Sequence, residues 1–263
     1  MHPETEIKNL LENRYKLYNT TDYIEPDPIQ IPHRFSKKED IEIASFLTST
    51  IAWGQRKAII KNASFLMDLL ENSPHDFVLN AKNTEIQQVR QFVHRTFNGL
   101  DCEHFIYSLR NIYLHHNGLE AVFVSGYNTD KTVYSAIKHF REVFLEIDHI
   151  KHVSKHVSDV TINSAAKRLN MMLRWLVRSD EIGVDFGIWK DIPMSALMIP
   201  LDVHVGDVGR ALGLLNRKQN DWKALEELMS VLRQFDKADP VKYDYALFGI
   251  GVFENKKEIN FDY

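Results

Sequence analysis

Hydrophobic residues recur along most of this chain with the spacing of α-helices. In residues 39–53, Ile43, Phe46, Leu47, Thr50 and Ile51 fall on one helical face. Similar spacing predicts further helices over 56–72, 84–95, 103–116, 131–147, 161–179, 203–215, 221–235 and 240–250. Regular two-residue alternation, the mark of a half-buried strand, is missing. The pattern therefore predicts an all-α fold.

Prolines and glycines indicate where the helices stop. Pro74 in "NSPHD" favours a break, and three prolines in "YIEPDPIQIPHRF" (23–35) predict an extended loop. "SDEIGVDFGIWKDIP" (179–193) predicts another loop. We therefore expect an N-terminal helix with a proline-rich docking loop over 1–38 and a helical domain over 39–263. Candidate boundaries between lobes lie near 20–38 and near 150–160.

Composition narrows the function classes. Of the 263 residues, 44% are hydrophobic, which is enough for a substantial core. The net charge of −4 argues against non-specific coating of nucleic acid but is compatible with a local basic groove. The single cysteine, Cys102, cannot form an internal disulfide or hold an iron–sulfur cluster. With no signal peptide and no apolar run near the roughly 20 residues of a membrane span, we predict a cytoplasmic protein that visits the nucleoid.

The stretch "SAAKRLNMMLRWLVRSD" (164–180) predicts a helix with a basic face. Lys167, Met171, Arg174 and Arg178 follow one another at helical spacing, opposite an apolar stripe. This pattern is typical of a solvated surface, but no acidic residue stands three or four positions before any of the three cations. Trp175 lies among the arginines, which suits contact with phosphates and bases. At the helix start the macrodipole disfavours the charged form of Lys167, and a neutral amine is a nucleophile.

A second stretch, "IPLDVHVGDVGRALGLL" (199–215), places an aspartate before an amphipathic helix. Val205, Val208, Leu212 and Leu215 line one face, and Asp202 stands at the N-cap position. Capping alone explains Asp202. It is also compatible with catalysis, because a carboxylate held by backbone N–H groups stays ionised and oriented.

These two stretches resemble helix-hairpin-helix DNA glycosylases. "PLDVHVGDVGRALGL" is similar to the segment that carries their essential aspartate, which corresponds to Asp202. "AAKRLNMMLRWLVR" resembles the helix with the catalytic lysine of the bifunctional members, which corresponds to Lys167. "DYALFGIGV" (244–252) is similar to their closing helix, and "FLTSTIAWGQRKAIIKNASFLMDLL" to an early helix pair that places Gln55 beside DNA. The chain as a whole looks most like an uncharacterised bacterial family of this superfamily.

The interval between the two key residues points to one branch. Lys167 and Asp202 are 35 residues apart, which is longer than in the endonuclease III-like proteins and closer to the interval in the archaeal 8-oxoguanine glycosylases. "GVDFGIWKDIPMSALMIPLD" is similar to the long connection of that branch. One feature departs from the family: its glycine-rich hairpin "LPGxG" is replaced by "SDVTINSAA" (158–166). The close backbone approach to a phosphate that such glycines allow is therefore in question.

The resemblance implies two helical lobes with a cleft between them and a base-excision repair glycosylase with AP-lyase activity. An oxidised purine such as 8-oxoguanine would be flipped into the cleft, with Lys167 forming a Schiff base and Asp202 stabilising the sugar cation. The mechanism requires their side chains within roughly 8 Å of each other, allowing for a sugar between them. Both should open onto one pocket with an aromatic wall and Arg174 or Arg178 at its rim. We expect DNA or base contacts from Trp53, Gln55, Arg56, Arg168, Arg174, Trp175, Arg178, Trp189 and His204.

The sequence also allows a metal site, which receives less weight, and two functions without glycosylase activity, which stay open. His149, His152 and His156 have helical spacing, but lysines interrupt the run, and we predict neither a metal nor another cofactor. Damaged DNA is the expected partner of a monomer with no membrane contact. The alternatives are a DNA-binding protein that kept the fold without the chemistry, and a helical scaffold without salt-dependent DNA affinity.

Overall fold

A computed structural model describes residues 3–148 and 150–254, and this part of the chain contains helices and no β-strand. The all-α prediction is therefore confirmed. The α-helices are α1 Pro3–Tyr18, α2 Lys38–Thr50, α3 Arg56–Leu69, α4 Pro74–Asn80, α5 Asn83–Ile86, α6 Gly99–His115, α7 Leu119–Asp130, α8 Val133–Phe144, α9 Lys167–Val177, α10 Val203–Ala211, α11 Trp222–Phe235 and α12 Tyr243–Phe253. None of the described helices is both long enough and apolar enough to cross a membrane.

Several predicted boundaries were wrong, each for a local reason. Pro74 begins α4 rather than only ending α3, because the first helical position needs no N–H donor. The helix predicted over 84–95 is only α5 followed by a 3₁₀ turn, Gln87–Gln91. The prediction omitted α7, which begins after Gly118 at a φ of 92°. α9 begins at Lys167 rather than at 161, because Ala166 adopts a left-handed conformation.

The proline-rich segment is compact rather than extended. It forms three 3₁₀ turns, Thr21–Tyr23, Pro28–Gln30 and Pro32–Arg34. The Asp27 carboxylate accepts a hydrogen bond from the Ile29 N–H at 3.0 Å, and Ile29 and Ile31 are fully buried. The segment thus packs into the protein through its isoleucines, while α1 packs against α12.

Helix α2 passes through the centre of the protein. Every residue from Ile41 to Thr50 is buried, and Phe46 contacts Phe105, Phe140 and Phe144 at ring-centroid distances of 5.3 to 5.6 Å. Such aromatic contacts contribute about 0.5–1.5 kcal/mol each beyond the area they bury. α2 also packs against α9. The start of α9, where Lys167 lies, is therefore supported by the core.

Candidate active site at the starts of α9 and α10

Lys167 and Asp202 meet at the starts of two helices. Lys167 is the first residue of α9, Asp202 is the N-cap of α10, and the Lys167 Nζ lies 3.6 Å from the Asp202 Oδ2. The lysine side chain is 36% exposed and the aspartate side chain 14%. The predicted proximity is thus confirmed, whereas the catalytic roles of the two residues stay a prediction.

Both the side chain and the backbone of Asp202 accept hydrogen bonds that hold it in place. Its Oδ1 accepts a hydrogen bond from the Val205 N–H at 2.9 Å, as the sequence predicts for an N-cap. Its backbone carbonyl accepts from the Asn220 side-chain amide at 2.8 Å. The second carboxylate oxygen is therefore the one directed at Lys167. Capping and the approach to Lys167 use different oxygens of the same carboxylate.

Because one carboxylate oxygen caps α10 and the other approaches Lys167, two substitutions of Asp202 should have different effects. Asn caps helices about as well as Asp, so Asp202→Asn should leave the free energy of unfolding nearly unchanged. Asp202→Ala should lower it by about 1 kcal/mol, because the Val205 N–H then loses its acceptor. Chemical denaturation of the two variants measures the difference. Equal losses in both would show that the cap contributes nothing measurable.

A cleft of about 290 Å³ opens beside the pair. Its lining residues are Ala52, Trp53, Ser158, Ser164, Ala165, Ala166, Lys167, Arg168, Leu201 and Asn220. Lys167 lines this cleft, whereas Asp202 does not, although its neighbour Leu201 does. A second cleft of about 430 Å³ shares Trp53 and Arg168 with the first, and is also lined by Thr96, His152, Lys155 and His156. Trp53 thus supplies the expected aromatic wall.

Arg168 lies between the two clefts without a carboxylate partner among the described residues. Its guanidinium stacks on the Trp53 ring at 5.0 Å and donates hydrogen bonds to the carbonyl oxygens of Thr50 and His156. Burial lowers its pKa to about 10, so the side chain stays charged at neutral pH. A half-buried cation that no acid neutralises is suited to an anionic or carbonyl-bearing ligand.

The segment "SDVTINSAA" turns sharply without glycine. It forms a 3₁₀ turn, Val160–Ile162, and then Asn163 and Ala166 both adopt left-handed conformations, with φ of 68° and 46°. Asn tolerates this conformation, whereas Ala adopts it at a cost of roughly 1–2 kcal/mol. The turn expected from glycines is therefore made by other residues, directly before Lys167. The strain at Ala166 lies within the candidate site.

Arg174 and Arg178 are not on a solvent-exposed face, which corrects the sequence prediction. They are 2% and 0% exposed, and their guanidinium groups bind buried or half-buried carboxylates. Arg174 pairs with Asp185 and Asp244, and Arg178 with Asp180, Asp185 and Asp239. Asp239 and Asp244 come from a distant segment, whereas Asp180 and Asp185 follow α9 closely. The sequence analysis considered only acids three or four positions before each cation and therefore missed all four. Neither arginine is available at a cleft rim to hold a phosphate.

Two of the three tryptophans expected at DNA are core residues. Trp175 is fully buried, and Trp189 is 1% exposed with its Nε1 donating to Glu42 at 2.7 Å. Neither can stack on an extruded base in this arrangement, because protein atoms already cover both faces. Among the three, only Trp53 is half-exposed and lines a cleft.

Gln55, Arg56 and His204 lie at the surface. Gln55 is exposed at the N-cap of α3, and the Arg56 guanidinium lies 5.4 Å from the Phe248 ring centroid. His204 is exposed, packs edge-on against the same ring and contacts the Gly251 carbonyl oxygen through its Nδ1 at 3.2 Å. Their surface position is compatible with contact to DNA, which stays a prediction.

Comparison with known proteins gives one result. A family model described as "Protein of unknown function (DUF2400)" matches residues 27–253. The chain belongs to the DUF2400 family. No curated protein and no solved structure matched it. Both clefts, the Lys167–Asp202 pair and the buried arginines lie within the part of the chain that matches DUF2400.

Sequence patterns missed one cluster in this DUF2400 protein. Asp101 at the start of α6 contacts both His152 and His156, with distances of 2.7 and 3.2 Å between the closest atoms. Their spacing in the sequence groups the two histidines with His149 on one face of a helix, and His149 lies outside the described residues. The segment is instead a 3₁₀ turn, Val153–His156, so that the histidine spacing alone could not identify Asp101 as their neighbour.

Proposed function

We propose that this DUF2400 protein is a DNA glycosylase with AP-lyase activity that acts on an oxidised purine. The observation that carries the proposal is the 3.6 Å approach of the Lys167 Nζ to the Asp202 Oδ2 beside a cleft lined by Trp53. Nothing in helix packing requires an amine and a carboxylate from two helix starts to meet. A Schiff-base mechanism does require it.

In the proposed reaction the neutral amine of Lys167 attacks C1′ of the damaged nucleotide. The bond between C1′ and the base nitrogen breaks, and the base leaves with the electron pair and takes up a proton. The Asp202 carboxylate stabilises the positive charge that develops on the sugar, and its Oδ2 lies close enough to the Lys167 Nζ to accept the proton that the amine loses. The nitrogen lone pair then forms a second bond to C1′ while the C1′–O4′ bond breaks and O4′ takes up a proton, which gives the protonated Schiff base. Loss of a proton from C2′ and departure of the 3′-phosphate then nick the strand.

Trp53 and Arg168 support a flipped base as the occupant of the cleft, which we expect to lie between two helical lobes. An aromatic ring offers a stacking surface to any base. Arg168 adds donors without a carboxylate to compete for them, and such donors match the carbonyl oxygen that oxidation adds to a purine. Gln55, Arg56 and His204 would contact the surrounding DNA.

A DNA-binding protein without catalysis is the second candidate. The missing glycine-rich hairpin and the net charge of −4 favour it. A screen of duplex and single-stranded oligonucleotides, each with one defined lesion, separates the two functions. The enzyme releases the base, nicks the strand and is trapped on DNA by borohydride, whereas the alternative binds without releasing any base.

Two surface cations should give DNA binding a measurable salt dependence: Lys155, which lines the second cleft, and Arg56, which is expected at DNA beside Gln55. If Arg56 and Lys155 each contact a phosphate, the double variant Arg56→Gln/Lys155→Gln should flatten the log–log salt slope by about 2, at about 0.9 per contact. Fluorescence anisotropy at several salt concentrations gives the slope. Lys138→Gln is the matched control, since Lys138 is exposed on α8 and lines neither cleft. A slope that the double variant leaves unchanged would place the DNA elsewhere.

A further inference from the structure

Asp101, His152 and His156 form a cluster that the proposed reaction does not use. Asp101 is fully buried at the first turn of α6, His156 is 7% exposed, and the His152 side chain is 36% exposed. The potential ligand atoms, one from each residue, all lie within 4.8 Å of one another. Two imidazoles and one carboxylate are a ligand set that suits divalent first-row transition metals.

The buried residue His156 gives the strongest support for a ligand-binding site. Within the part of the chain that the structure describes, its Nε2 is buried and makes no well-directed hydrogen bond, although the Asp101 Oδ2 lies 3.2 Å away. A buried polar atom without a partner is costly in a native protein. The His156 ring is held between Trp53 and Phe97, at centroid distances of 6.3 and 4.9 Å. The two rings therefore hold the His156 Nε2 in place, 3.2 Å from the Asp101 Oδ2.

Hydrogen bonds also orient the side chains of Asp101 and His152. The Asn98 backbone N–H donates to the Asp101 Oδ2 at 2.9 Å, as part of the capping box of α6. His152 directs its Nδ1 at the Asp101 Oδ1 at 2.7 Å from the rim of the second cleft. In a tetrahedral zinc site neighbouring ligand atoms are about 3.3 Å apart, given zinc–ligand bonds of about 2.0–2.1 Å. The His156 Nε2 and the Asp101 Oδ2, 3.2 Å apart, already have this spacing, and the His152 Nδ1 lies somewhat closer to the Asp101 Oδ1, at 2.7 Å.

The geometry points to a binding site for a divalent transition metal ion, with zinc as the reference ion, made by Asp101, His152 and His156. Three protein ligands leave at least one coordination position open, and both histidines line the cleft that Trp53 and Arg168 also line. The Arg168 guanidinium donates to the His156 carbonyl oxygen at 3.2 Å, so its charge opposes that of the ion. We therefore expect weaker binding than at a four-ligand structural zinc site. The site is independent of the glycosylase proposal.

The test uses the full chain without a polyhistidine tag, stripped of metal by a chelator. Competition with a chromophoric zinc chelator should give one bound Zn²⁺ per chain, and Co²⁺ should give visible absorption bands of a low-coordinate site. His152→Gln should weaken Zn²⁺ binding by more than the roughly 10- to 100-fold that loss of an outer-shell partner costs. Asp101→Asn should do the same while keeping an acceptor for the Asn98 N–H.

His115→Gln is the matched control, because His115 is an exposed histidine at the end of the same helix, α6. It should bind Zn²⁺ like the unaltered protein. Because His152 is half-exposed, its variant should fold normally, which circular dichroism checks. Absence of stoichiometric Zn²⁺ binding to the unaltered chain would overturn the proposal. Equal affinities in His152→Gln and His115→Gln would do so too, and would leave the cluster a hydrogen-bonded network.

Discussion

Replacement of Lys167 by glutamine is expected to abolish the covalent product that borohydride traps between this protein and lesion-containing DNA. Reduction fixes a Schiff base, and only a primary amine can form one at this position. Glutamine keeps much of the length and polarity of lysine. Because the Lys167 side chain is 36% exposed, the variant should fold and bind DNA nearly as well as the unaltered protein. Denaturing gel electrophoresis after borohydride treatment measures the trapped fraction.

Two companion variants make this experiment decisive. Lys190→Gln removes another exposed lysine and should leave trapping intact. Asp202→Asn keeps the helix cap but removes the charge, and should slow base release by about 10²- to 10⁴-fold, as expected for a group that assists proton transfer. If Lys167→Gln is still trapped, the nucleophile is another amine, and Lys190 and the N-terminal amine become the next candidates.

Replacement of Arg178 by methionine is expected to lower the free energy of unfolding by about 3–5 kcal/mol, the usual result of removing one partner from a buried ion pair. The arginine side chain is 0% exposed and donates to Asp180, Asp185 and Asp239. Burial disfavours its charge, but the carboxylates of Asp185 and Asp239 outweigh this and raise its pKa. Methionine fills much of the volume, so the loss reports mainly the uncompensated carboxylates. Urea denaturation measures the change.

An exposed ion pair provides the comparison for Arg178. Lys138 and Glu142 are 3.9 Å apart on α8 with side chains 49% and 60% exposed, so Lys138→Met should change stability by no more than about 0.5 kcal/mol. The Arg178 variant also separates two views of this residue. A loss of stability with an unchanged salt slope of DNA binding supports the buried network. A flatter slope with little loss of stability would mean that Arg178 reaches DNA after all.

Local features of this chain were readable from the sequence because they depend on residues close together along it. The amphipathic spacing in 203–215 predicted α10, and an aspartate directly before it predicted the cap that Asp202 makes with the Val205 N–H. The all-α class follows from the same periodicity, repeated along the chain. Some helix ends nevertheless differ from their predicted positions, because Ala166 and Gly118 adopt backbone conformations that periodicity does not encode.

Pairing between distant segments was decided by the tertiary structure alone. The helical face that carries Lys167, Arg174 and Arg178 was predicted to contact DNA phosphates, because no acid stands three or four residues before any of the three cations. Asp185, Asp239 and Asp244 come from a loop and from the region around α12, and their approach depends on how those segments pack. Asp101 meets His152 and His156 across about fifty residues for the same reason. Helical periodicity establishes which residues share a face. Whether that face meets water or buried carboxylates depends on the packing of segments far away in the chain, and this packing placed Lys167 beside Asp202 and Arg178 in the core.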